Sequence, residues 1–231
     1  MKDLARLEER LGVKFKNQDL LTQSLVHRSY LNEHPEFRLG HNERLEFLGD
    51  AVLELAVTRY LYEQYPAQTE GELTNWRASL VNSDKLAECA EELNINDFLY
   101  LSRGESKDSQ SKARRYILAN AYEAIIGAIY LDQGFEGAES FLHRELLPKL
   151  ANILANQLYL DPKSRFQERS QEVVGVTPRY QVIAESGPDH DKRFEVGVFL
   201  NDERVATGIG ASKQEAEEAA ARKGLEVKSW L

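Results

Sequence analysis

Apolar residues recur three and four positions apart through the first two thirds of the chain, whereas apolar and polar residues alternate in much of the last third. The first pattern predicts helices over residues 2–11, 17–30, 41–63, 69–81, 84–93, 110–132 and 136–156. Glycines close the first helix and the sixth, and Ser83 is expected to open the fifth. The polar, serine-rich segment 102–112 is predicted to be a surface loop.

The last third combines two short helices with three strands. A helical pattern covers 164–173, alternation predicts strands over 179–184, 194–200 and 203–209, and Ser212 is placed to cap a final helix. Alanines on that helix allow it to lie close to a sheet. The predicted fold is therefore an all-α domain over 1–155 followed by a small α+β domain, of order α-β-β-β-α, over 161–230.

Composition adds constraints on compartment and cofactors. A single cysteine, Cys89, excludes an intramolecular disulfide and a thiolate metal site, and its helical setting favours a small core residue over a reactive thiol. A reducing compartment follows, so the expected location is cytoplasmic. No stretch reaches the ~20 consecutive apolar residues of a membrane span, and no membrane partner is expected.

The formal charge of -9 argues, taken alone, against a partner made of nucleic acid. The acidic excess is uneven, however: residues 161–231 hold 13 acids and 11 bases, which leaves 25 acids and 18 bases in residues 1–160. Local patches must therefore decide the partner. Lys112, Arg114 and Arg115, at the start of a long helix, are as compatible with phosphate contacts as with a solvated helix face.

The run Asn42 to Asp50, with sequence NERLEFLGD, places three acids among apolar residues. Glu43, Glu46 and Asp50 are spaced i, i+3 and i+7 and share one helical face. Like charges at this spacing repel one another, more strongly as apolar neighbours draw them towards a core. The cluster therefore calls for a cation.

This run, with HRSY at 27–30, TEGELT at 69–74 and ILANAYEAIIGAIYLD at 117–132, resembles the ribonuclease III family. The fragments DPKSRFQE, GPDH and ASKQEAEEAAA resemble that family's C-terminal double-stranded-RNA-binding domain. The resemblance spans nearly the whole chain. It implies a homodimeric endoribonuclease that needs Mg²⁺, with Mn²⁺ as a substitute and no organic cofactor. The expected products carry 5′-phosphates, 3′-hydroxyls and two-nucleotide 3′ overhangs, and the expected roles are in ribosomal and messenger RNA processing.

Carried over by position, the family's metal ligands are Glu46, Asp50, Asn120 and Glu123. Asp50 and Glu123 are expected to be catalytic. Glu43 and Glu70 match further acids of the active centre that do not bind the metal directly; the alternative is that they are ordinary exposed acids on a helix. The family usually has Asp where Asn120 stands, and an amide removes one negative charge from the site. Two alternatives follow: a natural active variant, or a double-stranded-RNA-binding homodimer whose nuclease activity is weakened or absent.

The resemblance also assigns contacts outside the metal site. Phe47 is expected to enter a cavity of a second subunit, the alternative being an ordinary core residue. The expected RNA contacts are minor-groove contacts of Ser164, Gln167 and His190 and phosphate contacts of Ser212 and Lys213. The family commonly has bases at Gln214 and near Glu217, so reduced phosphate affinity is expected. His27 is predicted to be buried and hydrogen-bonded rather than catalytic. A third interpretation, an acidic helical scaffold unrelated to RNA, predicts no duplex affinity.

Overall fold

The computed structural model describes residues 2–107, 111–157, 159, 161–188 and 192–230. The chain divides into two compact units, one ending at Ala155 and one beginning at Asn156. Among the described residues, none of the helices combines the length and the apolar character that a membrane span requires.

The first unit is helical. Its α-helices are α1 Leu4–Leu11, α2 Gln18–Ser24, α3 Arg28–Glu33, α4 Glu43–Gln64, α5 Glu70–Leu80, α6 Ser83–Glu92, α7 Arg103–Lys107, α8 Lys112–Glu145 and α9 Lys149–Ala155, with a 3₁₀ turn at Ile95–Phe98. Gly12 ends α1 in the left-handed conformation, as its position predicts.

The helix predicted over 17–30 is two helices in the structure. The main chain between them leaves the helical path, because the His27 amide donates to the Tyr100 carbonyl (3.0 Å) and the Tyr100 amide donates to the Leu25 carbonyl (2.9 Å). His27 then caps α3, its imidazole accepting from the Ser29 amide. The half-buried ring is thus hydrogen-bonded, as predicted, and burial lowers its pKa.

Other boundaries also differ from the pattern. Asn82, not Ser83, caps α6, because its side chain accepts from the Lys85 amide. The break predicted near Gly134 is present as a kink: this residue is non-helical, with φ 78°, and the helix resumes beyond it, so both segments are counted together as α8. The segment predicted to be a loop contains the short helix α7.

Helices α4 and α8 form the centre of the first unit and touch backbone to backbone. A methyl group on Gly49 would lie 1.8 Å from the carbonyl oxygen of Glu123, and one on Gly127 would lie 2.2 Å from the carbonyl oxygen of Leu45. Only glycine permits this approach. Cys89 is buried nearby in α6, as predicted, and burial raises its pKa to about 12.

The second unit comprises α10 Pro162–Val174, β1 Arg179–Ser186, β2 Arg193–Leu200, β3 Glu203–Gly210 and α11 Lys213–Val227. The strands form an antiparallel sheet of order β1-β2-β3. Ser212 caps α11, as predicted. The helix lies close to β3, since a methyl group on Gly208 would be 2.4 Å from the Ala216 carbonyl oxygen. The predicted fold class is confirmed.

Candidate functional site

The contact of α4 with α8 brings two polar faces together. Glu46 and Asp50 lie on α4 either side of Gly49, and Asn120 and Glu123 lie on the adjoining stretch of α8. The side-chain amide of Asn120 hydrogen-bonds the Glu46 carboxylate. The structure therefore unites the four residues predicted to bind metal, and we call them the acidic cluster.

Burial and mutual repulsion disfavour the ionised forms of the cluster. Burial, followed by the charges of Asp50 and Glu46, raises the pKa of Glu123 to about 7. Burial, followed by the charges of Glu43 and Asp50, raises the pKa of Glu46, whereas the hydrogen bond from Asn120 lowers it. A bound cation would relieve this cost, because it favours the charged carboxylates.

The donor set suits a hard cation such as Mg²⁺, which prefers oxygen ligands. No group of three or more His, Cys, Asp or Glu side chains within the described residues is arranged to hold a single ion. Mg²⁺ does not require such a cage, since it usually keeps several waters and uses one or two carboxylates together with substrate phosphates. The acidic cluster fits this mode of binding.

Glu43 lies at the edge of the cluster, between two nitrogen-bearing side chains. Its carboxylate is 3.6 Å from the Arg28 guanidinium and 3.7 Å from Nδ1 of His41. Neither neighbour was predicted from the sequence, although the HRSY motif contains Arg28 and His41 directly precedes the acidic run. Glu43 still contributes to the raised pKa of Glu46, so it belongs to the same electrostatic unit.

Glu70, in contrast, does not join the cluster of its own chain. It is the first residue of α5, where Thr69 and Glu72 form a capping box, and its carboxylate accepts from the Thr74 hydroxyl at 3.1 Å. It lines a cavity beside Thr58 and Tyr62 of α4. These residues lie 8 and 12 positions beyond Asp50, roughly 12 to 18 Å along the helix axis.

One face of α4 is apolar and exposed. The exposed fractions are 81% for Phe47, 57% for Leu55 and 75% for Tyr62, and their positions fall within about 80° of one another around the helix. The interpretation of Phe47 as a core residue is therefore wrong. At the end of this face lies the cavity that Glu70 lines, with a volume of about 740 Å³.

In the second unit, the predicted RNA contacts lie at helix starts. Ser164 donates its hydroxyl to Asp161 at 3.0 Å, and Gln167 is exposed one turn further along α10. Ser212 accepts from the Glu215 amide at 3.1 Å, and Lys213 extends above the ring of Phe194. His190 lies outside the described residues.

Of the three bases at the start of α8, Lys112 is exposed, whereas Arg114 and Arg115 are engaged within the first unit. Arg114 is only 3% exposed, and its guanidinium donates to the Glu105 carbonyl. Arg115 pairs with Asp84 at 3.3 Å and with Glu91 at 2.9 Å. No local pattern indicates these contacts, because the acids that engage Arg115 lie more than twenty residues away along the chain.

Comparisons with known proteins match both units. The family model Ribonuclease-III-like matches residues 17–150, and the model Double-stranded RNA binding motif matches residues 162–228. The chain is 46% identical over 225 residues to Ribonuclease 3 of Carboxydothermus hydrogenoformans, covering 97% of this chain and 95% of that protein. It is 45% identical over 223 residues to Ribonuclease 3 of Bdellovibrio bacteriovorus, covering 96% and 94%.

A solved structure resembles the first unit. The nuclease domain of ribonuclease III from Campylobacter jejuni, described as flexible in a region involved in dimer formation, superimposes with a TM-score of 0.57 and 40% identity. The match covers 63% of this chain and 99% of that domain. The interpretation as a scaffold unrelated to RNA is wrong.

Proposed function

Because the chain belongs to the ribonuclease III family and is an endoribonuclease with a double-stranded-RNA-binding domain, we propose that the acidic cluster is its catalytic centre. The observation that carries this proposal is the meeting of Glu46 and Asp50 with Glu123 at the α4–α8 contact, where burial, followed by the charges of neighbouring acids, raises the pKa of both Glu46 and Glu123. Perturbed carboxylates of this kind are typical of functional sites.

Glu46, Asp50, Asn120 and Glu123 would hold Mg²⁺, with Mn²⁺ as a substitute. When bound, the ion supplies a more acidic water and stabilises charge on the phosphodiester. The chain itself positions the oxygen donors, because the backbone contacts at Gly49 and Gly127 hold α4 and α8 at a fixed separation. Asn120 replaces a carboxylate with an amide oxygen, and its hydrogen bond to Glu46 keeps that neighbour oriented.

We propose that the exposed apolar face of α4 is the interface of a homodimer. Large exposed apolar patches mark interaction sites, and a two-fold axis requires a face that is complementary to itself. Phe47 is the prominent side chain of this face, and the cavity at its far end is large enough to receive it, since about 150 Å³ already accommodates a benzene ring. We therefore assign Phe47 of one subunit to the cavity of the other.

This dimer would place Glu70 of each subunit at the catalytic centre of the other. Phe47 is the direct neighbour of Glu46, and Glu70 lines the cavity that would receive Phe47. Insertion of Phe47 would thus bring Glu70 of the partner subunit beside Glu46 and Asp50. Each catalytic centre would then combine the acidic cluster of one subunit with Glu70 of the other.

Two such centres related by a two-fold axis would cut both strands of one duplex. We propose products with 5′-phosphates, 3′-hydroxyls and two-nucleotide 3′ overhangs, with structured ribosomal and messenger RNA precursors in the cytoplasm as substrates. The second unit would track the duplex through minor-groove contacts of Ser164 and Gln167 and phosphate contacts at the start of α11. Ser212 and Lys213 suit the latter, because backbone amides at a helix start attract anions.

The decisive experiment is cleavage of a defined RNA hairpin in Mg²⁺ with all new ends mapped. A two-nucleotide stagger with 5′-phosphates would support the metal chemistry, the dimer and the substrate together. The same assay separates the binding-only alternative that Asn120 raises. Tight duplex binding without cleavage at every concentration of a Mg²⁺ titration would contradict the proposed catalytic centre.

A further inference from the structure

A concave surface between α10 and α11 carries more acids than bases. It has a volume of about 600 Å³ and is lined by Asp161, Lys163, Ser164, Gln167, Tyr180, Gln214, Glu217 and Glu218. Three of these side chains are carboxylates and one is an ammonium group. Ser164 and Gln167, the proposed minor-groove contacts, belong to this surface. The carboxylates of this surface therefore repel the phosphates of an approaching RNA duplex. This matters because phosphate contacts contribute most to the affinity of proteins for nucleic acids.

The single lysine of this surface is already engaged. The ammonium group of Lys163, on α10, donates to the carboxylate of Glu217, on α11. Their side chains are 35% and 28% exposed, so water screens the pair only in part. The ammonium also stands over the ring of Tyr180, 5.1 Å from its centroid. These contacts hold Lys163 against the second unit instead of leaving it extended towards solvent.

The acids also act on their other neighbours. Burial, followed by the charges of Asp161 and Glu217, raises the pKa of the Tyr180 hydroxyl well above its usual range. Asp161 and Glu217 thus act on Tyr180, which lines the same concave surface.

We propose that Glu217 competes with RNA phosphates for Lys163 and so limits both the affinity and the salt dependence of duplex binding. This inference rests on the proposed function of the second unit and concerns how that unit is tuned. A phosphate can engage Lys163 only when the lysine exchanges its bond to Glu217, so in the wild type this lysine releases few counterions from RNA. Removing the charge of Glu217 frees the lysine and lowers the repulsion in one step.

The test uses the full chain and a blunt RNA duplex in EDTA, with affinity measured over a series of salt concentrations. Glu217→Gln is expected to bind about threefold to tenfold more tightly near 0.1 M salt, and the slope of log K against log salt should steepen by about 0.7 to 0.9, as for one added phosphate contact. Lys163→Gln should change the affinity little in the wild type but should abolish the gain in the Glu217→Gln background. This coupling distinguishes competition from a general change of charge.

A matched control exists in the same unit. Glu203 pairs with Lys228 at 2.8 Å, and Lys228 lies roughly 20 Å along α11 from Lys213. Glu203→Gln makes the same charge change and should leave the slope unaltered. An equal gain for this control, no gain for Glu217→Gln, or weaker binding by a Glu217→Gln variant that melts like the wild type would each overturn the inference. A wild type that binds no duplex would overturn the proposed function, and the inference with it.

Discussion

The backbone of Gly49 lies against the carbonyl of Glu123, so closely that a methyl group at Gly49 would be 1.8 Å from that oxygen. The contact is structural and chemical at once. It joins the two central helices, and it fixes the separation between Glu46 and Asp50 on one side and Asn120 and Glu123 on the other. The geometry of the proposed metal site therefore depends on the absence of a side chain at Gly49 and at Gly127, which makes the corresponding contact with the Leu45 carbonyl.

The first prediction concerns this contact. Gly49→Ala must push α4 away from α8 along their interface, because the obstructing atom belongs to the backbone and cannot rotate away. We expect the free energy of unfolding to fall by about 3 kcal/mol or more. The fraction of the variant that remains folded should have lost most of its cleavage activity, because the acids on the two helices no longer meet. Urea unfolding measures the first effect. Gly71→Ala is the control: nothing lies within 4 Å of the added methyl, so its stability should be unchanged or slightly higher.

The sequence went far in predicting this region. Periodicity predicted the helices, and the resemblance to the ribonuclease III family singled out the four residues that the structure brings together. Phe47 is exposed, and its contact with a second subunit stays a prediction. The close approach at Gly49 did not, since a glycine in a helical pattern does not indicate what it faces. The separation of Glu70 from the cluster was equally invisible, because it depends on where α5 returns along α4. Long-range pairs such as Arg115 with Glu91 share this limit.

The second prediction concerns Glu123. Glu123→Gln should abolish cleavage in Mg²⁺ and spare duplex binding, because it removes a proposed metal ligand and leaves the second unit untouched. Because the pKa of Glu123 is raised, the pH dependence of unfolding in EDTA provides a second test. The folded state binds more protons than the unfolded state between about pH 4.5 and pH 7, so the wild type loses stability as the pH rises through this window. At pH 8 the variant should be more stable than the wild type by roughly 2 kcal/mol, and near pH 4, below the pKa of the unfolded carboxyl, the two should match.

Glu136→Gln provides the control for both readouts. It removes one acid from the exposed side of the same helix, so both cleavage and the pH dependence of unfolding should follow the wild type. Cleavage by Glu123→Gln at wild-type rates would remove Glu123 from the mechanism. The same stability difference at about pH 4 and pH 8 would show that the pKa of Glu123 is not raised by burial and by the charges of Asp50 and Glu46.

The third prediction concerns the amide at the metal site. Asn120→Asp places a fourth carboxylate beside Glu46 and removes the hydrogen bond that the amide donates to it. The variant should be less stable than the wild type in EDTA above pH 7, yet its activity should persist or rise, most clearly at low Mg²⁺. Activity measured over a Mg²⁺ titration, with melting temperature followed in parallel, checks both. Asn96→Asp, an exposed substitution on the 3₁₀ turn, should change neither; loss of cleavage in Asn120→Asp would mean that the site requires the amide.

The fourth prediction concerns Phe47. Its side chain is exposed, so Phe47→Ala should leave the unfolding of the isolated chain nearly unchanged while it weakens self-association. We expect the variant to shift towards monomer in analytical ultracentrifugation and to lose most cleavage of both strands, because a monomer's acidic cluster lacks Glu70 of a partner subunit. Val173→Ala shortens another exposed apolar side chain, in the second unit, and should associate like the wild type. A Phe47→Ala variant that associates like the wild type would rule out this face of α4 as the interface.

The last prediction tests whether Glu70 acts across the dimer, and subunit mixing can decide it. If each centre uses Glu70 of the partner subunit, a heterodimer of Glu123→Gln with Glu70→Gln has one centre carrying both defects and one intact centre. Mixing the two weak variants should then restore cleavage of one strand. If Glu70 acts within its own chain, each centre carries one defect and mixing restores nothing.

The reciprocal heterodimer must give the opposite result. A subunit carrying both substitutions, paired with a wild-type subunit, leaves one intact centre only if Glu70 acts within its own chain. In the shared arrangement the wild-type cluster faces the substituted Glu70, and both centres are impaired. Cleavage of an end-labelled duplex by tagged, purified heterodimers reports both cases. The position of Glu70 in the cavity at the far end of α4, remote from its own cluster, leads us to expect restoration in the first pairing and loss in the second.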